Sequence, residues 1–211
     1  MVPQSLVVFG PQIGVPDSLY LDWIRRHLLE IPDTAPLVDS IVQLQTFWDS
    51  TVREHPALRH VPGRVLIDPL CQWIQNGIFL PNEIPNIVLA PLTLLTHVIE
   101  YLAYLREVGT AGNHTKLLQD DEDDDENSAY LGLCIGMLSA ATIRSSTTKS
   151  EVIRRTAVAV RIAVLIGATV DADGRFATPA TEWRSFLAQA TTQLDEASLQ
   201  PILVGYPEVC T

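Results

Sequence analysis

The 211-residue chain has little of what marks several broad protein classes. Its three cysteines, Cys71, Cys134 and Cys210, are odd in number and widely spaced, which excludes a disulfide framework and points to a reducing compartment. No Lys or Arg stands among the first ten residues, so neither a secretory nor a mitochondrial leader is expected. Long apolar runs are missing too. The most apolar stretch, residues 84–96, holds Pro85 and Pro91 and is followed by His97 and Glu100, well short of the ~20 apolar residues of a bilayer span. It reads as a buried helix, and the protein as soluble and cytoplasmic with no membrane partner. Basic residues are scarce, 14 Lys and Arg against 25 Asp and Glu, which argues against nucleic acid as a partner.

What is present is apolar material, 47% of the residues, enough for the core of one sizeable domain. The net charge of −11 is concentrated in Asp120-Asp121-Glu122-Asp123-Asp124-Asp125-Glu126; outside that run 18 acids face 14 bases. The run lacks the glycine and the alternating spacing of a calcium loop. Residues 109–127 are therefore read as a solvated acidic loop, and no metal site is expected.

Hydrophobic periodicity supplies the elements. Ser5-Leu6-Val7-Val8-Phe9, closed by Gly10-Pro11, suits a buried parallel strand. Asp17 or Ser18 can cap a helix running to about Ile31. A second helix, starting after Pro36, is expected to carry Leu37, Ile41, Leu44, Phe47, Trp48 and Val52 in one continuous pattern. Further helices are expected over 65–76, 91–108, from Gly136, over 151–169 and over 181–194. The helix over 151–169 should carry Val152, Thr156, Ala159, Ala163 and Ile166 on one side. A strand is expected at 129–132, and a turn at Asp171-Ala172-Asp173-Gly174. The class is α/β, with residues 1–195 as the body and 196–211 as the opening of a further, small subdomain.

One segment carries chemistry. Tyr130-Leu131-Gly132-Leu133-Cys134-Ile135-Gly136-Met137-Leu138 places Gly-x-Cys-x-Gly between an apolar strand and an apolar helix, the pattern of a nucleophile elbow with cysteine as the nucleophile. The flanking glycines remove side chains that would collide in so sharp a turn. The Ile135 N–H can supply half an oxyanion hole, and the helix macrodipole favours an anionic sulfur at Cys134. A glycine-lined close approach around a small buried cysteine fits the pentapeptide equally well.

Taken with Val7-Val8-Phe9-Gly10-Pro11-Gln12, Arg154-Arg155-Thr156-Ala157-Val158-Ala159-Val160-Arg161-Ile162-Ala163 and Thr181-Glu182-Trp183, the elbow resembles the starter-unit acyl-carrier-protein transacylase domain of fungal non-reducing polyketide synthases. The resemblance implies an acyltransferase fold, an α/β-hydrolase-like body with a ferredoxin-like insert. It also implies acyl transfer in secondary metabolism through an acyl-Cys134 intermediate, from acyl-CoA or a fatty-acyl donor to the phosphopantetheine thiol of an acyl carrier protein or polyketide synthase. No bound cofactor is implied. By the same resemblance Gln12 and Ile135 form the oxyanion hole, and Gly10, Gly132 and Gly136 shape the substrate site. Ser139 stands where many relatives carry proline.

The family pairs its cysteine with a histidine from the far C-terminal side. Here His27, His55, His60, His97 and His114 all precede Cys134. The chain is accordingly read as a truncated acyltransferase body with most of the small subdomain missing. An accessory binding protein and a Cys-dependent thioesterase or hydrolase stand as alternatives to the transferase. His97 is read as a core or groove residue. Arg144, Lys149, Arg154 and Arg155, with Glu151 as the nearby acid, form a basic patch that suits either an acidic carrier protein or plain solvent.

Overall fold

The computed structural model describes residues 5–11, 17–31, 34–78, 84–107 and 128–174. Residues up to Ala172 belong to one compact unit; of the second, which begins at Asp173, the described part is the end of the last helix. The expected loop 109–127, the helix over 181–194, the boundary near 195 and the segment 196–211 lie outside the described residues.

The order of elements is β1 (Ser5–Phe9), α1 (Ser18–Glu30), α2 (Ala35–Val42), α3 (Leu44–Glu54), a 3₁₀ turn (Pro56–His60), α4 (Gly63–Asn76), α5 (Asn86–Glu107), β2 (Ser128–Gly132), α6 (Ile135–Arg144) and α7 (Lys149–Gly174). The described chain is thus mostly helical with a small parallel sheet, compatible with the expected α/β class. In that sheet β1 and β2 pair in register from Ser5 opposite Ser128 to Phe9 opposite Gly132. The two-residue alternation of a strand sends Val7, Phe9 and Tyr130 toward the core and leaves Leu6, Val8 and Leu131 exposed.

Local chemistry accounts for most helix boundaries. The Asp17 carboxylate accepts the Tyr20 N–H at 2.9 Å and starts α1. At the end of α4, Gly77 adopts the left-handed conformation (φ 70°), while Arg25 Nε donates to the carbonyls of Trp73 and Ile74 at 2.8 and 3.1 Å. Thr148 and Glu151 frame the start of α7: Glu151 N–H donates to Thr148 Oγ1, and the Glu151 carboxylate accepts the Thr147 N–H.

Two expectations are corrected. The single helix expected from Leu37 to Val52 is broken at Gln43 into α2 and α3. Its apolar spacing runs straight through, because one non-helical residue leaves Leu37, Ile41, Leu44 and Trp48 all facing the core. The turn expected at Asp171–Gly174 is instead the final stretch of α7. Of the residues expected on one side of that helix, Val152, Thr156, Ala159 and Ala163 are buried and Ile166 is 45% exposed.

Asp171 explains why α5 begins at Asn86, five residues before the expected start at Pro91. Its carboxylate accepts the backbone N–H groups of Asn86 (3.0 Å) and Ile87 (2.8 Å) and the Asn86 side-chain amide (2.8 Å). It therefore caps a helix distant in sequence, satisfying two of that helix's orphan donors. By length and composition α5 could cross a membrane. Here it is the core helix, buried nearly all along from Ile87 to Leu105 and packed against α1, α4 and α6. Asp171→Ala should lower the unfolding free energy by about 1–2 kcal/mol. Asp171→Asn, which keeps one acceptor, should lose less; urea denaturation of the two variants checks this order.

Candidate active site

The loop from β2 into α6 is built by close approach. β2 ends at Gly132, and the Leu133 N–H continues the ladder by donating to the Phe9 carbonyl at 3.0 Å. The chain then reverses within one residue. Cys134 has φ 55° and ψ −124° and is the one non-glycine residue with positive φ among those described. Such a conformation costs on the order of 1–3 kcal/mol and persists only where its surroundings over-determine it.

Those surroundings are the two glycines. A Cβ on Gly132 would lie 2.2 Å from the Gly136 carbonyl oxygen, and one on Gly136 would lie 2.4 Å from the Phe9 oxygen and 2.6 Å from that of Gly10. Neither collision is with a movable side chain. Both are with backbone, so any larger residue would push α6 away from the end of the sheet. Gly136 N–H donates to Leu133 O and Met137 N–H to Cys134 O, which closes the first turn of α6 directly behind the cysteine. Cys134 occupies the N-cap position and is exposed; its side chain makes no capping hydrogen bond. Ile135 is the first residue of the helix, and an N–H at that position has no intrahelical acceptor.

Beside the cysteine lies an open cleft of about 560 Å³. Ile135 and Met137 from α6, Ala90 from α5 and Ile166 and Val170 from α7 line it, with Asn86 as the polar residue at its margin. No charged side chain is among its described lining residues. The resemblance did not point to these α5 and α7 walls. The available signal was the row Val158, Ile162, Ile166 and Val170, a second apolar stripe on a helix whose first stripe already fills the core.

The remaining expected site residues are dispersed. Gln12 lies outside the described residues. Gly10 borders a different cleft of about 520 Å³, shared with Phe9, His97, Glu100 and Tyr101. Gly132 and Gly136 shape the turn and do not line the Cys134 cleft. His97 Nδ1 and Ser139 Oγ are hydrogen-bonded at 2.9 Å, and the His97 ring lies 5.6 Å from that of Phe9. His97 is therefore a groove residue of the second cleft. Burial pushes its imidazole below the usual range, and Glu100 opposes this in part.

The basic patch is less basic than its composition. Arg154 and Arg155 both reach the Glu151 carboxylate, at 3.4 and 2.8 Å, and Arg144 closes the far end of α6 from Cys134. The Thr147 N–H, then Arg155, hold the Glu151 carboxyl down to about 2. Cys71 contrasts with Cys134: it is buried, its thiol donates to the Ile41 carbonyl, and burial together with Asp68 pushes it up to about 11.

With this geometry in place, comparison with known proteins is decisive. The sequence model of the family described as "Starter unit:ACP transacylase in aflatoxin biosynthesis" matches residues 82–203. The chain belongs to this family. Its relatives include the non-reducing polyketide synthases esdpA of Penicillium shearii, 36% identical over 170 residues and 79% of this chain, and pkdA of Emericella nidulans, 32% identical over 200 residues and 93% of this chain. Clavatol synthase claF of Penicillium crustosum is 30% identical over 211 residues, 98% of this chain. The aligned region is 8% of the length of each of these synthases, so the chain corresponds to a small part of them. In this family member the matched region takes in α5, the elbow and α7.

Two measurements check the site. Iodoacetamide at about pH 8 should modify Cys134 in the folded chain and spare Cys71 until denaturant is added, because only exposed thiolate reacts; peptide mass mapping reads both. Folded His97 resists protonation, whereas the unfolded imidazole titrates near ~6.5, so the unfolded state binds the extra proton below that pH and stability should fall. His97→Gln should flatten the fall in denaturation midpoint between about pH 7 and pH 5.

Proposed function

We propose that this chain is a starter-unit acyltransferase that loads a carrier protein in polyketide biosynthesis, with Cys134 as its nucleophile. One observation carries the reading. In a member of the starter-unit transacylase family, the exposed cysteine stands at a helix N-cap, in a positive-φ turn, beside an uncharged apolar cleft.

In the first half-reaction the Cys134 sulfur attacks the carbonyl carbon of an acyl thioester. The donor's C–S bond breaks, its sulfur leaves as a thiol with the proton given up by Cys134, and an acyl-Cys134 thioester remains. In the second, the phosphopantetheine thiol of the carrier attacks that thioester and returns the proton and the free thiol to Cys134. Thioester is exchanged for thioester, so the two halves are nearly isoenergetic. The Ile135 N–H, at the start of α6, is placed to donate to the developing oxyanion, with Gln12 as the second donor. The apolar cleft takes the acyl chain, and its uncharged lining favours an alkanoyl group over one ending in a carboxylate. The paired strands and the elbow are read as the nucleophile-bearing part of an acyltransferase body.

Incubation with alkanoyl-CoA of two to six carbons should add the acyl mass to the wild-type chain and nothing to Cys134→Ala. Added holo-carrier protein should then discharge the adduct onto its own thiol. An adduct that persists in Cys134→Ala would overturn the assignment, and discharge to free acid at the same rate with or without carrier would make the protein a hydrolase.

A further inference from the structure

The exposed side of α7 joins two sites. Val158, Ile162, Ile166 and Val170 recur every fourth residue, and each is exposed. Ile166 and Val170 wall the Cys134 cleft, whereas Val158 and Ile162 line a separate cleft of about 520 Å³ that ends at Arg154 and Arg155. Leu138 of α6 borders both, so the two clefts adjoin at that side chain, one along residues 158–162 of α7 and the other along 166–170. Taken end to end, the two clefts run along α7 from the cysteine to two guanidinium groups.

Charge and length define the occupant. Arg154 is 76% exposed and shares a single carboxylate, that of Glu151, with Arg155. Two cations against one acid leave a net positive end able to take an oxyanion. From Arg154 to Ile166 the helix advances about 18 Å at about 1.5 Å per residue. A ligand fitting this track is linear and flexible, anionic at one end and thiol or thioester at the other.

Resting on the transferase reading, we infer that the α7 face is the track for a 4′-phosphopantetheine arm. Its phosphate pairs with Arg154 and Arg155, its pantetheine chain lies over Val158 and Ile162, and its sulfur reaches Cys134. This assigns Arg154 and Arg155 to the phosphate of the arm itself rather than to the body of a carrier protein. It also distinguishes Ile162 from Ile166 and Val170: the first touches the arm, the other two the acyl chain.

The test uses the whole chain and has a readout that needs no catalysis. In Cys134→Ala, which cannot be acylated at that position, binding of free 4′-phosphopantetheine and of phosphate-free pantetheine is measured by calorimetry. Phosphopantetheine should bind about tenfold more tightly, the lower end for a charge-assisted hydrogen bond. Adding Arg154→Gln and Arg155→Gln should erase that preference; Arg106→Glu, an equal charge change on α5, should leave it. Ile162→Asp should weaken both ligands together, and circular dichroism confirms that these surface variants remain folded. Equal affinity for the two ligands, or a preference that survives the double arginine substitution, would overturn the inference. So would an Ile162→Asp chain that binds both as before but changes its oligomeric state, since the stripe would then be a contact between copies. If the wild type binds phosphopantetheine as described and Cys134 still takes no acyl group, the transferase reading fails and the track stands.

Discussion

The structure turns on a backbone collision avoided. Where β2 gives way to α6, the helix comes so close to the ends of both strands that a methyl group at Gly132 or Gly136 would overlap main-chain atoms. That approach forces the reversal at Cys134, and the reversal projects the cysteine beyond the sheet. The cysteine's exposure, its place at a helix N-cap and its position beside the apolar cleft all follow from two missing side chains. Such geometry is strained, so the energy holding it must come from elsewhere. It comes from α5, whose buried residues pack against α6 and fix the helix behind the turn.

The cleft depends on a second long-range device. α7 crosses the start of α5, and Asp171 near its end satisfies the first amides of that helix. One carboxylate thus starts the core helix and holds α7 where Ile166 and Val170 can wall the Cys134 cleft. Helix α7 serves two environments: Val152, Thr156, Ala159 and Ala163 fill the core, and the row from Val158 to Val170 faces outward. An apolar residue on a helix is usually a core residue. Here Val158, Ile162, Ile166 and Val170 are not, and that exposed apolar row is the feature that calls for a ligand.

The sharp turn that presents Cys134 was legible in the sequence. Gly132, Cys134 and Gly136 announce a sharp turn by residue type alone, because only glycine suits such a close approach. The family resemblance followed from the same residues. Gly132 and Gly136 shape that turn, and Gly10 borders a different cleft. Composition did not reveal that Glu151 is shared by Arg154 and Arg155, which leaves that pair with a single net positive charge.

By itself, then, the sequence determined whatever is encoded within one or two turns of chain: the strands by alternation, α1 by its Asp17 cap, the end of α4 by Gly77, the elbow by its glycines. Tertiary structure decided what depends on partners far away in the chain. Asp171 resembles a turn residue until the amides of Asn86 and Ile87, some 85 residues earlier, give it a helix to cap. Gln43 breaks a helix without disturbing its apolar period, because the break is one residue long and the core faces both halves. Ile166 shares the spacing of the buried row and yet is exposed, since the described elements packed around α7 cover only one of its apolar faces. Periodicity specifies a residue's direction from its own helix axis; what stands in that direction is a property of the whole fold.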